Sequence, residues 1–134
     1  QVQVPADAVK VELVTLLTGH GGVAPTNCAE FCNHQHVFGI NGMVQRQSFP
    51  EATTPMGCAD RVSAGVVPNQ HGTWYYGRGG WCPGFDVAPW VVDVTSNIQP
   101  GMRNELRYRT TFGGRAVTAG MGDIALSSYL VYWR

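Results

Sequence analysis

The chemistry of this chain concentrates in Cys28-Ala29-Glu30-Phe31-Cys32. A carboxylate such as Glu30 can activate water for amide hydrolysis, provided that an acid protonates the leaving amine. The four cysteines, Cys28, Cys32, Cys58 and Cys82, allow two bridges in three pairings. A disulfide needs Cα atoms roughly 4.4–6.8 Å apart, whereas four extended residues span about 13 Å. If Cys28 pairs with Cys32, the segment must therefore curl into a tight turn with Glu30 at its apex. A Cys58–Cys82 pair would close a loop of about 25 residues, worth on the order of 3 kcal/mol. The rival is zinc held by four thiolates. Zinc sites use short spacings on both sides, and Cys58 and Cys82 are far apart. Two bridges imply an oxidising compartment: secreted, extracellular, at the cell surface or periplasmic.

Two further groups could do chemistry. His34 and His36 stand at i and i+2, a spacing that points both imidazoles to one face of a strand. With His20 on a neighbouring loop they form a candidate metal site, His20, His34 and His36, with Asp123 or Glu30 available to complete it. The bland alternative is polar packing against loop backbone. No other cofactor is expected. Around Arg78 lie Trp74, Tyr75, Tyr76 and Trp81. Flat aromatic rings stack on sugars and a guanidinium donates to hydroxyls. Trp74 and Tyr76 are the candidate ligand contacts, whereas Trp81, next to Cys82, reads as core.

These residues need a scaffold, and the pattern is β. Val9–Leu17 alternates, with Val9, Val11 and Leu13 on one face and Lys10 and Glu12 on the other; Thr18-Gly19-His20-Gly21-Gly22 breaks it. Residues 34–49 form a hairpin about Asn41-Gly42, a type I′ turn signal. Residues 50–86 are irregular and hold Pro50, Pro55, Pro68 and Pro83. So long a segment inside a compact domain is normally functional. Val87–Val94, Met102–Phe112 and Asp123–Trp133 are the remaining strands. Arg103, Glu105, Arg107 and Arg109 alternate on one face, most simply a solvated outer sheet, otherwise an assembly surface.

The 134 residues fit one domain, 1–134. Charged residues make up 13%, well below the usual share, while 17 Gly and 8 Pro supply turns. Six to eight strands with little helix give an all-β sandwich of two antiparallel sheets, the jelly-roll class, with a long tied loop. Net charge is zero and no basic stripe runs along the chain, which argues against nucleic acid. No apolar run approaches the roughly 20 residues of a membrane span. Gln1-Val2-Gln3-Val4-Pro5 lacks the cationic start and apolar block of a signal peptide, so a mature product or an excised fragment is expected.

Gly19-His20, Cys28 to Cys32, and His36 before a strand ending in Asn41 resemble the C-terminal jelly-roll domain of the peptide-N-glycosidase F family. So do Gly57-Cys58, Gly72-Thr73-Trp74, Arg78-Gly79-Gly80-Trp81-Cys82-Pro83-Gly84, and Gly122-Asp123 with Ser127-Ser128. The likeness runs from about Val9 to Val131. It implies two eight-stranded jelly rolls side by side and hydrolysis of the amide joining Asn to the first sugar of an N-glycan. It also implies the pairs Cys28–Cys32 and Cys58–Cys82. Glu30 then matches a carboxylate lining the cleft between domains, and Arg78 an arginine contacting the catalytic acid, both in supporting roles. Phe31 stands where the family usually has Trp and is a ligand-contact candidate. The family's principal catalytic Asp lies on the first domain, to which no segment here corresponds. Copper hydroxylases share the broad fold, with a Met near the last strand where this chain has Ile124 and Ala125.

The expected function is a secreted jelly-roll module related to the glycopeptide amidase. It would recognise glycan or glycoprotein and need a partner jelly-roll domain for catalysis. One rival is a self-assembling extracellular fibre or surface subunit, a homo-oligomer whose extended start, Gln1 to Pro5, adds to a neighbour's sheet edge. The other is a metal-binding domain through the three histidines.

Overall fold

A computed structural model describes residues 1–22, 28–50, 58–67, 81–82, 84–118 and 120–134. The chain is nearly all β, 48% strand, and its sheets pack as a sandwich. The strands are β1 (Val2–Gln3), β2 (Lys10–His20), β3 (Gln35–Ile40), β4 (Met43–Ser48), β5 (Trp90–Asp93), β6 (Arg103–Asn104), β7 (Leu106–Phe112), β8 (Arg115–Ala116) and β9 (Asp123–Trp133). One helical turn, α1 (Cys28–Phe31), lies between β2 and β3. A three-stranded sheet runs β5-β2-β9 and a four-stranded sheet β4-β3-β7-β8, with β1 and β6 paired apart. All described pairings are antiparallel.

Alternation decides what is inside. In β2, Val11, Leu13, Thr15 and Leu17 are buried, while Lys10 to His20 at even positions face outward. From the facing sheet, Phe38 and Ile40 of β3 meet them, with Val4, Val94 and Ile98 closing the core. Each large aliphatic buried there contributes about 1.5–3 kcal/mol. Val9, expected inward with Val11 and Leu13, is instead exposed. It precedes the strand, and its N–H already bonds the Trp133 carbonyl at 2.8 Å.

The expected break at Thr18-Gly19-His20 does not occur. β2 continues through it, pairing Gly19 with Ile124 and His20 with Asp123. The hairpin forms as expected: Asn41 and Gly42 both have positive φ, 47° and 87°, as a type I′ turn requires. Met102–Phe112 is two strands. At the junction Asn104 turns inward and is buried, taking four hydrogen bonds: from Gln99 N–H and Asn41 Nδ2, and to the Gln99 and Met102 carbonyls. Such a saturated amide anchors the chain where it leaves one pairing for another. Arg103 therefore pairs with Gln3 of β1 and does not share a sheet with Arg107 and Arg109. The extended start likewise bonds inside its own chain, with Val2 opposite Asn104 and Val4 buried. That removes the free N-terminal strand expected for a self-assembling subunit.

Both disulfides follow the family pairing. Cys28 joins Cys32 with Cα atoms 4.8 Å apart, and Cys58 joins Cys82 at 5.4 Å. No cysteine is free for a zinc site. The second bridge centres a small satellite core with Val66 and Phe85. Within the irregular region, Ala59–Ala64 forms a six-residue 3-10 helix. Among the described residues, no helix is long and apolar enough to cross a membrane.

Candidate functional site

The Cys28–Cys32 bridge curls its segment into one helical turn. Cys32 N–H bonds the Cys28 carbonyl at 2.9 Å, and all four residues of α1 are buried. The turn is seated on glycines. A Cβ at Gly19 would come within 1.7 Å of the Ala29 carbonyl oxygen and 1.9 Å of the Trp81 ring. A Cβ at Gly122, whose φ is +95°, would lie 2.6 Å from Ala29 Cβ. Ala29 N–H reaches two carbonyls, Gly21 at 3.1 Å and Met121 at 2.9 Å. Glycine at these positions lets β2 and the start of β9 approach the turn closely. The result fixes Glu30, 0% exposed, at one end of the sandwich. The expected apex is thus an interior position, and Phe31, expected at a ligand, is buried as well.

Below the turn lies an aromatic cluster. His36, also 0% exposed, contacts the rings of Phe49 and Trp81, each 5.6 Å away between centroids, and stacks on Tyr108 at 6.2 Å. Its Nδ1 shares a 2.8 Å hydrogen bond with the Tyr108 hydroxyl. Burial lowers the His36 pKa to about 4, helped by His34, so the imidazole is neutral at pH 7. Burial also raises the Tyr108 phenol, which stays protonated. His34 Nδ1 lies 3.0 Å from the Cys32 carbonyl, and its pKa is lowered by burial against the opposing pull of that carbonyl. His36 Nε2 and Trp81 Nε1 are buried polar atoms with no hydrogen-bond partner among the described residues.

The three histidines do not converge. His34 and His36 stand near each other, ring centroids 6.4 Å apart, inside the sandwich. His20 is at an outward position of the other sheet, its Nε2 2.9 Å from Thr18 Oγ1. Among the described residues no group of three or more His, Cys, Asp or Glu is arranged to hold a metal ion. Alternation explains the failure: Leu17 and Gly19 point inward, so Thr18 and His20 must point out. Trp74, Tyr75, Tyr76 and Arg78 lie outside the described residues. Trp81, expected as core, is core, and a pocket of about 200 Å³ opens beside it, edged by Phe49, Arg61, Phe85 and Asp86.

Sequence reasoning passed over Tyr108 and Phe49, and met Gly122 only within the family resemblance. Tyr108 occupies an inward position of an arginine-bearing strand, a signal present in the alternation. Phe49 and Gly122 carry no local signal, because their neighbours come from distant segments.

The chain matches the family model described as Peptide-N-glycosidase F, C terminal, over residues 1–131. It is 31% identical over 136 residues to peptide-N(4)-(N-acetyl-beta-D-glucosaminyl)asparagine amidase F of Elizabethkingia miricola. That alignment covers 97% of this chain and 36% of the relative, so the chain spans about a third of the relative's length. Two solved structures share the fold. One is a peptide-N(4)-(N-acetyl-beta-D-glucosaminyl) asparagine amidase, with a TM-score of 0.62 at 24% identity. The other is PNGase F, a glycosylasparaginase from Flavobacterium meningosepticum, with a TM-score of 0.61 at 25% identity. Each comparison covers 97% of this chain and 41% of the solved one. The chain belongs to the peptide-N-glycosidase F family, and what it matches there is the C-terminal domain.

Proposed function

We propose that this chain is the glycoprotein-directed jelly-roll module of a secreted amidase of the peptide-N-glycosidase F type, active only beside a partner domain. The observation that carries it is Glu30. A disulfide, two glycines and Trp81 fix the turn that bears it, in a chain that spans 36% of its amidase relative. So costly a seat for one buried carboxylate is typical of sites held in place for function.

Amide hydrolysis needs a water-activating group and an acid for the leaving amine. Glu30 supplies one carboxylate and Arg78 is its supporting cation; the principal acid comes from the partner domain. Trp74 and Tyr76 are the proposed ligand contacts. The two disulfides suit secretion. A partner surface is available on the outer face of the three-stranded sheet, where Val91, Tyr129, Val131 and Trp133 are exposed together. Apolar area of that kind on a sheet face favours coverage by another domain.

The test is titration of the chain with an N-glycopeptide and with the same peptide lacking its glycan. Selective binding of the glycosylated form without release of glycan is the expected result. Equal binding of both peptides, or no binding of either, would refute recognition. Efficient cleavage by the chain alone would refute the need for a partner.

A further inference from the structure

The outer face of the four-stranded sheet carries a groove that no residue of α1 lines. Its volume is about 410 Å³, and Gly39, Met43, Val44, Glu105, Arg107 and Arg109 are among the residues that line it. Register explains its shape. Gly39 of β3 stands between Val44 of β4 and Arg107 of β7. One step along, Val37 stands between Arg46 and Arg109. The middle strand thus offers no side chain at Gly39, and the floor there is backbone. Val37 points outward yet is only 4% exposed. Flanking arginine stems account for such coverage, leaving guanidinium heads in water.

The charge is uneven for so neutral a molecule. Three of its nine cations, Arg46, Arg107 and Arg109, stand on this face. Strands lie about 4.8 Å apart, which sets the Arg46 and Arg109 backbones roughly 10 Å apart across Val37. Arg107 is braced by Glu105 at 2.8 Å and Arg46 by Gln35 at 2.9 Å. The Arg109 side chain has no hydrogen bond or ion pair among the described residues. One braced guanidinium group, Arg107, and one uncommitted one, Arg109, line a glycine-floored depression that Glu105 also edges, with Arg46 on the flanking strand.

We infer that this groove is a second binding site, for a carboxylate-bearing sugar residue. Guanidinium forks take a carboxylate bidentately. Val44 and Met43, both exposed, suit the C–H face of a pyranose, and a pocket of this volume lies in the range of small-ligand sites. The inference rests on the reading that the chain meets glycoproteins, and it adds a preference for acidic glycans outside the Glu30 turn.

The test follows backbone amide shifts in the 134-residue chain during titration with 3′-sialyllactose, lactose, glucose 6-sulfate and a neutral N-glycopeptide. Sialyllactose is expected to move amides of β3, β4 and β7, while lactose leaves them in place. Affinity should fall ~10-fold or more in the Arg107→Gln/Arg109→Gln double variant, and should weaken with added salt. Gly39→Val is the second variant. A Cβ there meets only Arg107 Cβ, at 3.5 Å, so Val fits the strand, fills the groove and should abolish sialyllactose binding in a folded chain. Equal response to lactose, binding unchanged in either variant, or glucose 6-sulfate binding as tightly would overturn the assignment. A neutral N-glycopeptide that binds while sialyllactose moves nothing overturns this site alone. Silence towards every glycan overturns the glycoprotein reading with it.

Discussion

At the residue scale, His36 shows how burial converts a candidate ligand into a packing group. Its ring is enclosed by Phe49, Trp81 and Tyr108, and one nitrogen is held by the Tyr108 hydroxyl. In the unfolded chain the imidazole takes a proton near pH 6.5; in the folded chain it does so only at about 4. Above pH 6.5 both states are neutral and the group costs nothing. As pH falls from 6.5 towards 4 the unfolded chain gains a proton that the native chain refuses, and stability drops by up to roughly 3 kcal/mol. Urea unfolding at pH 7 and pH 4.5 should show this loss, and His36→Gln should flatten it; parallel profiles would refute it. The spacing of His34 and His36 correctly placed both rings on one side of a strand. It could not reveal Tyr108, 72 residues away, as the partner. Nor could it show that His20 faces the opposite way.

At the element scale, the seat of α1 depends on what is missing at Gly19 and Gly122. Gly122→Ala meets both a positive φ of +95° and atoms 2.5–2.6 Å away. It should destabilise the chain by about 1–3 kcal/mol and loosen the Glu30 turn. Gly42→Ala is the control: its φ is +87° with nothing within 4 Å, so it should cost less. Thermal melts of the two variants check the ordering, and equal costs would mean that close approach to α1 contributes nothing. Removing the second bridge as Cys58→Ser/Cys82→Ser should cost on the order of 3 kcal/mol, read by urea midpoints. The hairpin was legible because Asn41-Gly42 states its own geometry. The sheet change at Asn104 was not, since the residues that satisfy its amide, Asn41, Gln99 and Met102, are assembled only by the fold. The course of β2 through Gly19 was hidden for the same reason: glycine there admits Trp81 and does not mark a turn.

At the scale of the whole molecule, the two outer sheet faces differ. The face of β4-β3-β7 is cationic and grooved, whereas that of β5-β2-β9 exposes Val91, Tyr129, Val131 and Trp133, with Lys10, Glu12 and Asp93 beside them. The latter face is the proposed seat of a partner domain. Val131→Lys should therefore leave the melting temperature of the isolated chain within a few degrees, because surface changes usually stay within about 0.5 kcal/mol. It should nevertheless weaken association with the complementary domain, measured by sedimentation. The all-β class, the disulfide-tied loop and the family were legible in the sequence. Which face bears these apolar side chains became visible only once register assigned Tyr129 opposite Val14 and Val131 opposite Glu12. The most direct measurement is release of N-glycan from a glycopeptide by this chain, by the remaining domain of its amidase relative, and by the two mixed. Release only in the mixture, lowered by Glu30→Gln in this chain, is the predicted result. Release by this chain alone, or none in a mixture shown to associate, would contradict the proposal that it completes an amidase with a partner domain.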